Sequence, residues 1–248
     1  MALLDVEQVS VRFGGVQALR FVDLDVAAGE ATGLIGPNGA GKTTLFNAIC
    51  GLQPIEHGCV RLDGEDITKV KAHARARMGI ARTFQRLELF GSMTTRDNIR
   101  VAADVHRAYS RRGPGAGEDT AEERAEELLD RVGLRPVADE QVDALPTGLA
   151  RLVEVGRALA SRPKLLLLDE PSSGLSEEET DDFAALLEGL AADGLGILLV
   201  EHDVELVMRV CTRIHVLDFG EVIAAGSPAE VQRNELVQTA YLGTAPTP

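Results

Sequence analysis

Apolar positions recur along the chain with two different periods, and the changeovers between them mark the elements. Alternation at Val9, Val11 and Phe13, and again at Leu24 and Val26, predicts strands over residues 3–12 and 16–27, with Phe13-Gly14-Gly15 as the turn. Ala31 to Ile35 is a short apolar run of strand length. Beyond a Gly-rich stretch, Leu45, Ile49 and Leu52 share one face of a predicted helix that stops at Gly51. Strands over 58–62 and 65–67 flank Asp63-Gly64, a hairpin signal. Residues 70–78 are basic and helix-prone, and 79–84 read as a strand ending at Gln85.

From Arg86 to about Ala144 strands give way to helices. One starts near Thr94 and places Ile99, Ala102, Ala103 and His106 on one face. Ser110 to Glu118, rich in Gly, Pro and Arg, reads as an exposed loop. Thr120 and Glu123 have capping-box spacing, and Ala125, Leu128, Leu129 and Val132 form the buried stripe of a helix ended by Gly133. A further helix runs to Ser161. Leu165 to Leu168 then form a continuous apolar run, the mark of a central parallel strand covered on both faces.

A second capping box, Ser176 with Glu179, opens a helix whose stripe is Phe183, Leu186, Leu187, Leu190 and Ala191. Gly196 to Val200 is another buried strand. Val204, Val207, Met208 and Cys211 form the next stripe, Arg213–Leu217 and Glu221–Ala225 a closing strand pair, and Ser227-Pro-Ala-Glu230 caps a short helix. Residues 244–248 are expected to fray. The alternation of strands and helices predicts an α/β fold built on a parallel sheet, with a helical insertion.

Composition narrows the function. The chain has 248 residues and a formal net charge of -14, which opposes broad binding to nucleic acid or anionic lipid. Apolar runs such as Leu165–Leu168 fall far short of the roughly 20 residues that span a bilayer. The start lacks a basic n-region and a cleavage site, so no signal peptide is expected. Cys50, Cys59 and Cys211 have no metal-ligand spacing, and a sparse odd count suits reduced thiols in the cytoplasm.

The chemistry is concentrated in Gly36-Pro-Asn38-Gly39-Ala40-Gly41-Lys42-Thr43-Thr44, which fits G-x-x-x-x-G-K-[ST] between a strand and a helix. Glycines let successive backbone N–H groups curl around phosphate oxygens, and the helix N-terminus adds partial positive charge. Lys42 reaches the outer phosphates, and the Thr43 hydroxyl can hold Mg²⁺. Asp169 and Glu170 follow the Leu165–Leu168 strand at the sheet edge where ligands bind. An Asp there suits Mg²⁺, and a Glu suits a base that polarises water. Gln85 and His202 each follow a predicted strand at the same edge. Phe13, just upstream of the loop, can stack on a base or serve as an ordinary turn or core aromatic.

Together these residues resemble the nucleotide-binding subunits of ABC transporters over residues 3–243. By that resemblance Gly36–Thr43 is Walker A and Leu165–Asp169 is Walker B. Glu170 is the catalytic carboxylate, Gln85 the Q-loop residue, His202 the switch histidine and Phe13 the adenine-stacking aromatic. Thr43, Gln85 and Asp169 would serve Mg²⁺. Leu145-Pro146-Thr147-Gly148-Leu149 stands where the signature Leu-Ser-Gly-Gly-Gln belongs, so Pro146 replaces a serine. Ser172 to Ser176 ends in Ser where the D-loop of the family usually ends in Asp. Arg12-Phe-Gly-Gly15, Gly79 to Gln85, Val200 to Asp203 and Ala240 to Gly243 make the chain most similar to the ATPases of branched-chain amino-acid importers, with the lipopolysaccharide-export ATPases close by.

The resemblance implies a P-loop NTPase core with parallel sheet and an antiparallel β subdomain (1–85 and 163–243) and a helical subdomain (86–162), all within one domain of 1–243. It implies MgATP hydrolysis by two subunits, identical or not, that sandwich two ATPs, each site pairing one Walker A with the other subunit's signature. It further implies separate transmembrane permease subunits, an external solute-binding protein, and a place at the inner face of the cell membrane. Leu87, Leu89, Phe90 and Met93 are candidates for the permease contact or for the core of the insertion. A soluble ABC ATPase of translation or DNA repair and a weakly hydrolysing regulatory subunit are the rival readings. A P-loop small-molecule kinase would leave the signature region and His202 unexplained.

Overall fold

The computed structural model describes residues 2–84, 86–110 and 119–242. Gln85, residues 111–118 of the loop predicted over 110–118, and Gly243 with the expected frayed tail lie outside the described residues, and Ser110 belongs to a helix instead of that loop. Strands β1 (Ala2–Phe13) and β2 (Val16–Ala27) pair as an antiparallel hairpin, and β3 (Ala31–Ile35) follows. Helix α1 (Lys42–Cys50) comes next, then β4 (His57–Leu62), β5 (Glu65–Asp66), α2 (Ala72–Arg77) and β6 (Ile80–Arg82). Helices α3 (Thr95–Ser110), α4 (Ala121–Arg131) and α5 (Thr147–Ala160) run on with no strand among the described residues between them. The chain closes with β7 (Leu165–Asp169), α6 (Glu177–Ala192), β8 (Gly196–Val200), α7 (Val204–Val210), β9 (Arg213–Asp218), β10 (Glu221–Gly226), α8 (Pro228–Gln232) and α9 (Glu235–Leu242).

These strands make two sheets. One is antiparallel in the order β2-β1-β4-β5. The other runs β10-β9-β3-β8-β7-β6 and is parallel except for β10. Successive side chains on a strand point to opposite faces, and the buried strands β7 and β8 divide their apolar residues accordingly. Leu165, Leu167, Leu198 and Val200 pack with the antiparallel sheet and α1. Leu166, Leu168, Ile197 and Leu199 pack with the helices on the other side, including residues of α3, α4 and α5. Each buried leucine contributes about 1.5–3 kcal/mol, so this doubly covered strand pair holds the site's edge rigid.

Caps and one arginine fix the helices that carry the site. Thr120 and Ser176 make reciprocal capping boxes with Glu123 and Glu179, as their spacing predicts. Ser176, which stands out of pattern as the end of a D-loop, is therefore the N-cap of α6. The buried Arg75 donates to the carbonyls of Ala48 (2.8 Å) and Ile49 (2.7 Å), satisfying groups that the end of α1 leaves open.

Three expectations change. Leu45 and Ile49 are fully buried, but Leu52 is exposed, because Gly51 turns the chain out of the helix at φ 73°. Val204, at the first position of α7, is exposed, and Leu206, Val207 and Val210 form its buried face. The strand predicted over 79–84 pairs only from Ile80 to Arg82. The candidates after Gln85 also divide: Leu87 and Leu89 pack partly against the core, whereas Phe90 and Met93 are exposed.

Candidate functional site

The phosphate-loop residues, Asp169, Glu170 and His202 all leave the carboxyl ends of neighbouring parallel strands, β3, β7 and β8. The loop can turn there only because its glycines lack side chains. At Gly36 (φ 154°) a Cβ would lie 2.0 Å from the Leu217 carbonyl oxygen, and at Gly41 (φ 109°) 2.8 Å from that of Ala18. Asn38, Gly39, Ala40, Gly41, Lys42, Thr43 and Thr44 line a cavity of about 270 Å³ together with Asp169, Glu170 and Val200. Gly36 does not line it.

Lys42 is buried, and its Nζ donates to the carbonyls of Gly36 (2.6 Å) and Pro37 (3.0 Å). Burial holds its ammonium below the ordinary lysine value, and the carboxylates of Glu170 and Asp169 oppose that shift. The cation thus rests on two backbone carbonyls of the loop itself.

Asp169 is 2% exposed. Burial raises its carboxyl above the usual range, while Arg82 opposes the shift. Arg82 donates Nη2 to Asp169 Oδ2 at 3.0 Å and Nη1 to Asn47 Oδ1 at 2.6 Å, tying β7 to α1 through β6. The Asp169 N–H donates to Thr83 Oγ1 at 3.3 Å. Sequence reasoning assigned no role to Arg82. An arginine inside a strand that pairs with an all-leucine strand was the available signal, because buried cations need partners.

Glu170 occupies the left-handed region at φ 51°, a strained setting for a residue with a side chain, and its N–H is held by the Val200 carbonyl at 2.8 Å. His202 Nε2 lies 2.9 Å from Glu170 Oε1. The structure therefore joins two residues that the sequence separates by a strand and a helix. Phe13 ends β1 at the hairpin tip and is 50% exposed, so it is not a core residue, and it does not line the phosphate cavity. Gln85 lies outside the described residues.

The signature variant stands apart from this cavity, and none of residues 145–149 lines it. Pro146 is the N-cap of α5, and its carbonyl receives the Ala150 N–H at 3.0 Å. Pro146 and Thr147 are exposed. Gly148 is buried: a Cβ there would meet Leu175 Cδ2 at 2.8 Å, so its missing side chain makes room for its own chain.

For Mg²⁺ the donor set fits. The Thr43 hydroxyl and the Asp169 carboxylate, hard oxygen donors, line one cavity beside the phosphate loop. Among the described residues no cluster of three or more His, Cys, Asp or Glu could hold a metal. That suits an ion held by one carboxylate and by substrate phosphates rather than by a protein cage.

Comparison with known proteins gives one answer at three levels. The family profile described as ABC transporter matches residues 19–173, and that of the branched-chain amino acid ATP-binding cassette transporter matches 221–246. The chain is 38% identical over 251 residues to the high-affinity branched-chain amino acid transport ATP-binding protein BraF of Pseudomonas aeruginosa, covering 98% of each. It is 35% identical over 243 residues to the lipopolysaccharide export system ATP-binding protein LptB of Escherichia coli, again covering 98% of each. The crystal structure of the ADP conformation of an ATP-binding cassette of an ABC transporter superposes with a TM-score of 0.85 at 29% identity, covering 98% of this chain and 99% of that one.

Proposed function

This chain belongs to the ABC transporter family as an ATP-hydrolysing cassette, and from that premise we propose that it powers import of branched-chain amino acids through separate permease subunits. Two observations support that cargo: the name of the BraF relative, and the match of residues 221–246 to the branched-chain profile. An external solute-binding protein would deliver the cargo.

In this reading Lys42 and the loop N–H groups hold the outer phosphates of ATP, and Phe13 stacks on the adenine. Thr43, Asp169 and Gln85 would hold Mg²⁺, which would neutralise phosphate charge when bound. Glu170 accepts a proton from the attacking water, and His202 positions that carboxylate and the γ-phosphate. The carrying observation is Glu170, turned by its left-handed backbone into the cavity that also holds Lys42 and Thr43, with His202 at 2.9 Å.

Cassettes of this family act as dimers with transmembrane permease subunits. No helix among the described residues is long and apolar enough to cross a membrane. Beside α2, α3 and α5 lies a groove of about 910 Å³ lined by His73, Arg77, Phe90, Tyr109, Arg157 and Arg162. Its basic and aromatic lining, on a chain of net charge -14, supports docking of an acidic-rimmed helix of a permease at the inner face of the membrane. Pro146, which lacks both a hydroxyl and an N–H, supports a non-identical partner cassette bearing an ordinary signature.

The test is reconstitution of the chain in proteoliposomes with candidate permease subunits and that second cassette, with a candidate solute-binding protein supplied on the permease's outer side. ATP-driven uptake of leucine, isoleucine and valine is expected. Brisk ATP hydrolysis without uptake of any of the three would overturn the cargo assignment.

A further inference from the structure

Glu201 is 5% exposed, directly after β8 and directly before His202. It does not line the phosphate cavity. Its two oxygens hold two different segments: Oε1 accepts the Ser172 N–H at 2.7 Å, and Oε2 accepts the His202 backbone N–H at 3.0 Å. A carboxylate suits this place because it accepts at both oxygens, whereas an amide would turn a donor toward one N–H. Burying a carboxylate is unfavourable unless its hydrogen bonds compensate, so the two amides are what keep it there.

Ser172 belongs to the segment 171–176, which leaves β7 just after Glu170. The Glu170 N–H is held on Val200, and the Glu170 side chain meets His202. Glu170, Ser172, Glu201 and His202 are thereby closed into one ring across the ends of β7 and β8, where Asp169 and Val200 are in register. The same segment touches the start of α5. A Cβ on Gly174 would lie 3.2 Å from Thr147 Cγ2, and one on Gly148 2.8 Å from Leu175 Cδ2. A push on the exposed end of α5 therefore reaches residues 174 and 175, and through Ser172 it reaches Glu201.

We propose that Glu201 is a positioning residue that couples the 171–176 segment, and with it the N-terminus of α5, to the switch side chain His202. What this chain's signature end contacts on a partner is then reported to the chain's own His202–Glu170 pair. The inference rests on the reading of His202 and Glu170 given above, and its test separates the two.

The test uses Glu201→Gln in the assembled transporter for kinetics and in the purified chain for amide hydrogen exchange. Exchange at the Ser172 and His202 amides is expected to quicken about tenfold or more, the scale of a hydrogen bond to a charged group. kcat is expected to fall about tenfold, with KM and MgATP affinity within about twofold, and to fall less than about twofold when His202→Ala is already present. Unchanged exchange at both amides overturns the proposal, as does a kcat loss that persists in full beside His202→Ala. Should Glu201→Gln lose its cooperative melt, Glu201→Asp, which keeps the charge one methylene shorter, takes its place with the same expectations. Wild-type exchange and kcat in that variant overturn the proposal. If His202→Ala alone leaves turnover intact, the role given to His202 fails, and the coupling fails with it whatever the amides do.

Discussion

Arg82 Nη2 lies 3.0 Å from Asp169 Oδ2, and both side chains are more than nine-tenths buried. The pair joins β6 to β7, the strand that ends at Asp169. Removing one partner of a buried ion pair leaves the other charge uncompensated and costs about 3–5 kcal/mol. Arg82→Met is therefore expected to lower the melting temperature by about 6–20 °C for a domain of this size. Differential scanning calorimetry checks it, and a shift of under about 2 °C would show that Asp169 is held by other contacts.

In the proposed mechanism Glu170 and Lys42 act at different stages. Glu170→Gln keeps the shape of the site and removes the proton acceptor. Turnover in the assembled complex is expected to fall by a factor of about 10² or more while MgATP still binds. Lys42→Ala removes a cation from the phosphate cavity, so nucleotide affinity itself is expected to weaken. Equilibrium binding beside steady-state hydrolysis separates the two, and full MgATP affinity in Lys42→Ala would remove that residue from the phosphate site.

His215 lies on β9 and is 3% exposed, with Asp25 Oδ1 3.7 Å and Arg213 Nε 3.4 Å from its Nε2. Burial lowers its pKa from 6.5 to about 4, with Asp25 opposing and Arg213 assisting. The folded chain thus binds fewer protons here than the unfolded chain between those values. Stability falls as pH drops from about 6.5 toward 4, by about 3 kcal/mol in all, and is level above that window. His215→Gln should flatten this part of the melting profile. Parallel wild-type and mutant profiles between pH 6.5 and 4.5 would contradict it.

Pro146 stands exposed at the start of α5 with no group to donate. If its partner's nucleotide misses one charged hydrogen bond, Pro146→Ser should raise hydrolysis at that site by about 10- to 100-fold. ATPase assays of the chain alone and with candidate partner cassettes, each with and without the change, read this out. Brisk hydrolysis by the chain alone, unaffected by Pro146→Ser, would make Leu-Pro-Thr-Gly-Leu a working signature and remove the case for an unlike partner.

The central parallel strands were legible because Leu165–Leu168 and Gly196–Val200 are short, wholly apolar runs, each followed at once by an acid. Gly36–Thr44, Asp169, Glu170 and His202 were legible because each sits directly at a strand end, so locating the strand located the residue. Arg82 and Glu201 were not assigned roles, since each acts on a neighbouring strand's backbone or side chain. That relation depends on strand order, which sequence periodicity does not carry. Leu52 and Val204 were misplaced because helical period extends past a cap unless the cap is allowed to end it.

The phosphate loop is walled on one side by chain made just before it and on the other by chain made long after it. Ala18 and Leu19 pack on Gly41, whereas the Gly220 N–H donates to the Ala40 carbonyl at 2.9 Å, and the Gly220 carbonyl in turn accepts the Arg20 N–H at 2.7 Å. During synthesis, at about 5–20 residues per second, residue 41 waits many seconds for residue 220. A ribosome-bound fragment ending before β9 carries the whole Walker A sequence and lacks the turn that braces it. Retention of arrested chains of increasing length on immobilised ATP should therefore rise only once Gly220 has cleared the exit tunnel, which makes nucleotide binding a sign that β9 and the turn after it have been made.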